Sequence, residues 1–180
     1  MDLRLADPEL KLLQEAEVIE LLNQPIYLRV AMINARDGTP LVHPIWYNYK
    51  DGKFFAVSNR NGTKVRSLKK NPEVYFLVDI TDRGVRGRAS AKVIDDSDYA
   101  TKILTQNLER YMGSADSPEA KARLEIAKEH YSVIEITPHF IATWKAEIGS
   151  VWVYNRDMQG LSGIESWAVN DWSLRQITCC

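Results

Sequence analysis

Apolar residues along this chain fall mainly in short runs bounded by turn residues, a pattern typical of β-strands rather than of long helices. Arg36-Asp37-Gly38 and Asp51-Gly52 are such turns, and the second is a strong hairpin signal. Pro44 within one run indicates a sheet edge, a bulge or an irregular ligand-facing stretch. The runs predict strands over 26–33, 41–49, 53–58, 73–80 and 85–94, and closing strands over 131–136, 140–144 and 151–154.

Four segments carry helix signals instead. Asp7-Pro8-Glu9 is typical of a helix start with proline at the first helical position, and an apolar stripe follows as far as Leu22. The other predicted helices run over 63–70, from a cap at Asp96 or Ser97 to 112, and from Ser117-Pro118 to about 130. Short strands with peripheral helices predict a mainly β, α+β fold, a small β-barrel with helical decoration.

The sequence shows no internal repeat and no linker that would separate two domains. We therefore expect a single domain over residues 1–155 that begins with the N-terminal helix, followed by a C-terminal tail over 156–180. The adjacent Cys179 and Cys180 lie in that tail and cannot bridge distant elements, so we expect them to be reduced.

Charge composition excludes some classes of partner. Lys and Arg total 23 against 24 Asp and Glu, a formal net charge of -1, which argues against coating nucleic acid or an anionic membrane. No apolar run approaches the ~20 residues of a membrane-spanning helix, and the start of the chain lacks a signal-peptide layout. The three histidines show no metal-binding spacing. We expect a cytoplasmic protein with no metal, no nucleic acid and no membrane among its partners.

Basic residues are segregated in one stretch, between residues 53 and 72, where six Lys and Arg occur without any acid. Within it, a polar loop runs from Ser58 into the predicted helix start at Thr63-Lys64. A helix N-terminus favours anions, phosphate above all, and the two hydroxyls and the lysine ammonium would complete such a site. The alternative is a solvated basic helix face without a ligand.

Five motifs in order extend this interpretation: the turn Asp37–Pro40, Pro44-Ile45-Trp46, the strand Phe54–Ser58, the helix Lys64-x-x-x-Leu68-x-x-Asn71-Pro72, and Val85-x-Gly87-x-Ala89. Together they resemble the FMN-binding split-barrel superfamily, the pyridoxamine 5'-phosphate oxidase-like proteins. The resemblance covers residues 26–95 and extends more loosely to Ile136-Thr137-Pro138 and Trp144. It implies a split β-barrel of the FMN-binding type and a homodimer whose flavin lies across the interface.

The resemblance also implies positions for the cofactor, which is FMN or, as the alternative, a deazaflavin coenzyme. By position, the flavin would be flanked by His43, Pro44, Ile45 and Trp46, contacted by Val57 and Ser58, held at its phosphate by Thr63 and Lys64, reached by Arg86 from the partner subunit, and approached at the ring by Trp144. For Trp46 and Trp144 the alternative is a core aromatic, and for His43 a strand histidine without a ligand. The resemblance names no catalytic side chain.

Departures from the oxidases themselves leave the substrate open. Those enzymes place an Arg-x-His pair and a further arginine after the C-terminal tryptophan, whereas residues 145–152 contain neither. His43 and Thr63 stand where the family supplies arginines toward the cofactor. The pattern favours the flavin and deazaflavin reductase branch: an oxidoreductase that transfers hydride to or from a small organic substrate, with NAD(P)H as a candidate donor. The alternatives are a non-catalytic flavin-binding or sensing protein and, third, a haem or nucleic-acid binder.

Overall fold

A computed structural model of the chain describes residues 3–5 and 11–146. The strands are β1 (Leu3–Leu5), β2 (Leu28–Ile33), β3 (Pro40–Ile45), β4 (Asn48–Lys50), β5 (Lys53–Asn59), β6 (Glu73–Ile80), β7 (Arg83–Ile94) and β8 (Tyr131–Lys145). The helices are α1 (Glu15–Leu22), α2 (Thr63–Lys70), α3 (Ser97–Met112) and α4 (Pro118–His130). Within the described ranges, none of the helices has both the length and the apolar composition needed to cross a bilayer.

The strands form one sheet in the order β3-β2-β6-β7-β8-β5-β4, antiparallel throughout, and β1 adds to β8 in parallel. β3 and β4 follow each other in sequence yet form the two edges, joined only by Trp46 and Tyr47. That connection spans at most about 11 Å, whereas seven flat strands would be about 29 Å wide. The sheet must therefore curl until its edges approach, which is the predicted split barrel.

The inner face of this curled sheet holds the main core. The side chains that fill it alternate along each strand with outward-facing ones, as the period of two requires. Fully buried examples from separate strands are Val30, Ala56, Phe76 and Ile136. α1 and α2 pack their apolar sides against the same cluster, and α3 and α4 cover the opposite face of β5 and the start of β8.

Within the described residues the first helix is shorter than predicted, and its predicted start at residues 7–9 lies outside them. α1 begins at Glu15, where Glu17 accepts a hydrogen bond from the backbone N–H of Gln14 at 2.9 Å. Residues before it are held by long-range pairing instead: the Lys11 amide donates to the Lys145 carbonyl at 3.2 Å, and the Leu13 amide donates to the buried Thr143 hydroxyl at 3.1 Å. Tertiary pairing with β8 overrides the local helix signal here. β1, which the sequence pattern did not predict, pairs with the same strand.

Two further strand predictions need correction. The predicted strand 41–49 is two strands, because the chain turns the corner between the sheet edges at Trp46-Tyr47. The predicted strands 131–136 and 140–144 are one, because the ladder between β7 and β8 absorbs the interruption as a register shift next to Pro138. The predicted strand 151–154 and the tail 156–180 lie outside the described residues. The remaining strands, α2, α3 and α4 agree with prediction to within two residues.

Candidate functional site

The loop between β5 and α2 is built to start a helix at Thr63. The Asn61 amide donates to the side-chain oxygen of Asn59 at 2.8 Å, and the Gly62 amide donates to the Asn59 carbonyl at 2.9 Å. A Cβ at Gly62 would lie only 3.0 Å from that carbonyl oxygen, so a side chain there would require the loop to shift slightly. The loop is therefore ordered by its own hydrogen bonds and delivers the first turn of α2 in a fixed position.

The structure separates the six basic residues of the acid-free stretch into two groups. Five have partners: Lys53 with Glu135 (2.9 Å), Arg60 with the Tyr131 carbonyl (3.3 Å), Arg66 with the Asn61 carbonyl (2.7 Å), Lys69 with Asp95 (2.7 Å) and Lys70 with the Ala35 carbonyl (3.1 Å). Lys64 has no hydrogen bond or ion pair to any residue in the described part of the chain. The stretch is thus not a uniformly solvated basic face, and Lys64 is its unpaired member.

The surroundings of Lys64 also disfavour its charged form. Its side chain is half-buried, and this burial lowers the pKa of its ammonium group. An ammonium group that is taken out of water without a counter-charge costs free energy. Lys64 is the second residue of α2, in the first turn, where backbone N–H groups lack partners within the helix. A phosphate bound there would supply the missing charge and accept from those N–H groups.

His43 faces the same region as Lys64. It lies on the inner face of edge strand β3, and its pKa is lowered by burial first and then by repulsion from the Lys64 ammonium. No carboxylate of the described residues contributes to either shift. Two partly buried groups that can carry positive charge therefore lie close enough to repel each other, and no described acid offsets this repulsion, an arrangement suited to an anion.

The other predicted residues of the same elements divide between the two faces of the sheet. Ser58 is buried on the inner face of β5 and lies opposite Ser132 of β8. Val57 lies on the other face, among the side chains of α3 and α4. Ile45 belongs to the main core and Pro44 is exposed on the outer face of β3. Thr63 is exposed beside Lys64, with its hydroxyl 3.4 Å from the Arg66 guanidinium.

Trp46 packs against the helices. Its ring is stacked on that of Tyr111 in α3, with centroids 5.0 Å apart and planes 7° from parallel. The Arg123 guanidinium of α4 lies 5.6 Å from the centre of the same indole ring. These contacts join the corner after β3 to both helices.

Arg86 and Trp144 lie on the outer face of the sheet. Arg86 is on β7, three strands from the strand of His43, a separation of about 14 Å. Trp144 covers Gly84 so closely that a Cβ at Gly84 would lie 2.1 Å from the indole ring. One chain does not bring these two residues to Lys64 and His43, so a site that includes all four needs a second copy.

Sequence reasoning did not single out Arg66 or Asp95. Arg66 was one base among six, and only the structure shows its guanidinium lying across the loop, bonded to Asn61 and Thr63. Asp95 lies outside the acid-free stretch, so no local pattern connects it to that loop. A cleft of about 660 Å³ between α1, the β4–β5 turn and β8 contains none of the ten predicted site residues.

Comparison with known families is decisive for the fold. Residues 14–145 match the family model described as pyridoxamine 5'-phosphate oxidase. The chain belongs to this oxidase family. The match spans most of the chain and includes every element from α1 to β8. No curated protein sequence matches the chain.

Solved structures share the family's fold at low sequence identity. The conserved hypothetical protein Rv2991 from Mycobacterium tuberculosis is 22% identical, with a TM-score of 0.65 over 77% of this chain and 88% of that one. An F420 reductase is 24% identical, with a TM-score of 0.56 over 68% and 93%. A FAD-binding protein from Mesorhizobium loti is 22% identical, with a TM-score of 0.54 over 75% and 96%. These likenesses establish the split-barrel fold.

Proposed function

We propose that this protein is an oxidoreductase that binds FMN, with a deazaflavin coenzyme as the alternative, and transfers hydride to or from a small organic substrate. The observation that carries the proposal is the half-buried Lys64, which has no partner among the described residues and stands at the start of α2 beside His43. Both cofactors contain phosphate, and membership of the oxidase family supports a flavin-type ring. The F420 reductase among the structures of similar fold supports keeping the deazaflavin alternative.

The chain's own residues would bind and orient the cofactor. Lys64, the Thr63 hydroxyl and the free N–H groups of α2 would hold the phosphate, and His43 would add a positive charge when protonated. The flavin ring supplies the hydride chemistry, so the protein needs no general base of its own. The part of the site that one chain would form includes β3, the edge strand that has no further neighbouring strand in the described sheet.

A homodimer would complete this site. On the outer face, Val42, Ala31 and Tyr75 lie side by side across β3, β2 and β6. Val42 is 59% exposed and Tyr75 40% exposed, and the apolar Ile33 is exposed on the same face. A second copy packed there would cover this apolar row, and its Arg86 would approach the site that one chain leaves incomplete. Sedimentation of the purified protein at micromolar concentration is the test, and a stable flavin-loaded monomer would contradict the dimer.

The function is tested by identifying and reducing the cofactor. We expect protein that is yellow as purified, or after incubation with FMN, to show flavin absorbance that bleaches when NADPH or a reduced deazaflavin is added. Mass spectrometry of the released small molecule separates FMN, a deazaflavin and haem. Flavin binding without reduction by either donor would favour the non-catalytic sensing alternative. Binding of neither FMN nor a deazaflavin at micromolar concentration would refute the proposal.

A further inference from the structure

Asp95, the residue that follows β7, holds two basic residues of the loop and helix that present Lys64. One carboxylate oxygen lies 2.7 Å from the Lys69 ammonium, and the other is 3.8 Å from the Arg60 Nε. The Ser132 hydroxyl of β8 donates to the same carboxylate. The hydrogen bond from Lys69, followed by that from Ser132, lowers the pKa of Asp95, so it is ionised at neutral pH. One charge therefore ties α2 and its preceding loop to the sheet.

The positions of these two partners determine what the tie constrains. Arg60 precedes α2 and Lys69 lies in its last turn, so Asp95 holds the segment on both sides of Lys64. Backbone contacts strengthen the first attachment, because the Arg60 amide donates to the His130 carbonyl at 2.6 Å and its guanidinium donates to the Tyr131 carbonyl at 3.3 Å. Burial of Val65 and Leu68 holds α2 in the main core, and Asp95 adds polar attachments before this helix of about 12 Å and in its last turn.

Lys64 has nothing of its own to orient it. In the described part of the chain its ammonium has no partner, and the loop before it bonds mainly to itself. Burial of the neighbouring Val65 sets which face of the first turn of α2 meets the core, so the direction of Lys64 depends on how firmly the whole segment is held. Of the attachments of this segment, Asp95 is the one that joins the loop, the helix and β8 through a single side chain.

We propose that Asp95 is a positioning residue of the anion site, which directs the first turn of α2 and its Lys64 at the phosphate through Arg60 and Lys69. This role rests on the proposed function, because the phosphate is that of the bound flavin cofactor. Asp95 would not contact the cofactor directly. Because it acts through the segment that binds the phosphate, its substitution should change affinity for the phosphate and not for the flavin ring.

The test compares Asp95→Asn with Asp96→Ala, measured with FMN and riboflavin by fluorescence titration. Asp96 is the neighbouring acid, and its side chain caps α3 by accepting from the Tyr99 amide at 2.8 Å, so it serves as the matched control for a general loss of stability. We expect Asp95→Asn to weaken FMN roughly three- to thirtyfold, as for coupled residues of one network, and to leave riboflavin unchanged. Asp95→Glu should restore part of the loss, whereas Asp96→Ala should lower the melting temperature and leave the FMN-to-riboflavin ratio as in the wild type.

A double-mutant cycle with Lys64→Ala shows whether Asp95 acts through Lys64. In the Lys64→Ala background we expect Asp95→Asn to cause a smaller loss of FMN affinity than in the wild type, because only its effect on Thr63 and the free N–H groups of α2 remains. Equal losses for FMN and riboflavin, or a full additional loss in that background, would overturn the proposal.

Hydrogen exchange without any flavin gives a second measurement. We expect Asp95→Asn to speed amide exchange over residues 59–70, and Asp96→Ala to speed it in α3 instead. Exchange over 59–70 that stays as in the wild type would overturn the positioning role even if no flavin binds. Wild-type protein that binds no flavin, with faster exchange in Asp95→Asn, would instead place the failure in the proposed function.

Discussion

Lys64→Ala should separate cofactor binding from stability, because the proposed role of this side chain is to bind the cofactor and it has no hydrogen bond or ion pair in the described fold. Its ammonium is half-buried and has no partner among the described residues. Removing it therefore breaks no hydrogen bond or ion pair of the described fold. We expect the variant without cofactor to be at least as stable toward thermal unfolding as the wild type, since an unpaired, partly desolvated charge is lost.

The expected loss of FMN affinity follows from the contact that the ammonium would make. A charge-assisted hydrogen bond to phosphate contributes about 1.5–3 kcal/mol, which corresponds to roughly ten- to a hundredfold in the dissociation constant. Riboflavin has the same ring but no phosphate, so its affinity should change less than about twofold. The FMN-to-riboflavin ratio is therefore the quantity to compare.

Titration of both flavins by fluorescence quenching, with thermal melts of the same samples, measures both effects. Lys102→Ala is the matched control, because Lys102 is an exposed lysine on α3, away from the loop. Lys69→Ala is unsuitable as a control, since Lys69 is paired with Asp95 at 2.7 Å. Equal losses for FMN and riboflavin, or a lowered melting temperature with unchanged affinity, would refute the assignment of Lys64 to phosphate.

Two further predictions concern packing and pH. In denaturant unfolding, Gly87→Ala should destabilise the fold more than Gly84→Ala, because the new Cβ at position 87 would lie 1.9 Å from the backbone oxygen of Phe140. The Cβ at position 84 would instead meet the Trp144 side chain, which can shift at a cost of about 1–3 kcal/mol. Equal losses of unfolding free energy would contradict this. Burial and the nearby lysine lower the pKa of His43, and a bound phosphate should raise it, so FMN binding takes up a proton. The FMN-to-riboflavin affinity ratio should rise as the pH falls from about 8 to about 6.5, a range that stays above the second pKa of the phosphate. His43→Gln should flatten that rise. A flat wild-type profile would exclude His43 from the site.

The elements that the sequence predicted well are those whose boundaries are set by neighbouring residues. α3 begins where predicted because Asp96 caps it, and α4 begins after Ser117, whose hydroxyl accepts from the Ala120 amide at 3.1 Å. The β4–β5 hairpin turns at Asp51-Gly52, with positive φ angles of 50° and 77°. In each case the signal and its structural effect lie within four residues of each other.

Predictions were wrong where partners distant in sequence decide the outcome. The Asp7-Pro8 signal cannot reveal that Lys11 pairs with Lys145, or that Leu13 donates to Thr143, 130 residues away. The same holds for the Pro138 region, where a proline reads locally as a strand end but the neighbouring strand continues the ladder past it.

The candidate site shows the same division. Charge segregation along the sequence located the loop and Lys64, because both depend on residues close together in the chain. The sequence could not show that Lys64 lacks a partner among the described residues while the other five bases have one, since their partners, such as Glu135 and Asp95, come from segments far along the sequence. The stacking of Trp46 on Tyr111, 65 positions later, was likewise beyond any local pattern.

The place of β8 in the sheet has a consequence for how the chain is made. β8 is the sole strand that joins the β3-β2-β6-β7 group to the β5-β4 pair in the described fold, and it follows all of them in sequence. A nascent chain growing at roughly 5–20 residues per second therefore carries two unjoined sheet fragments, with the edges of β7 and β5 open, until Tyr131 and the residues after it leave the ribosome. Open edges of this kind recruit other chains. Chaperone binding to the nascent chain should accordingly be greatest just before β8 emerges. Messenger RNAs truncated before the β8 codons should yield aggregates rather than smaller folded proteins.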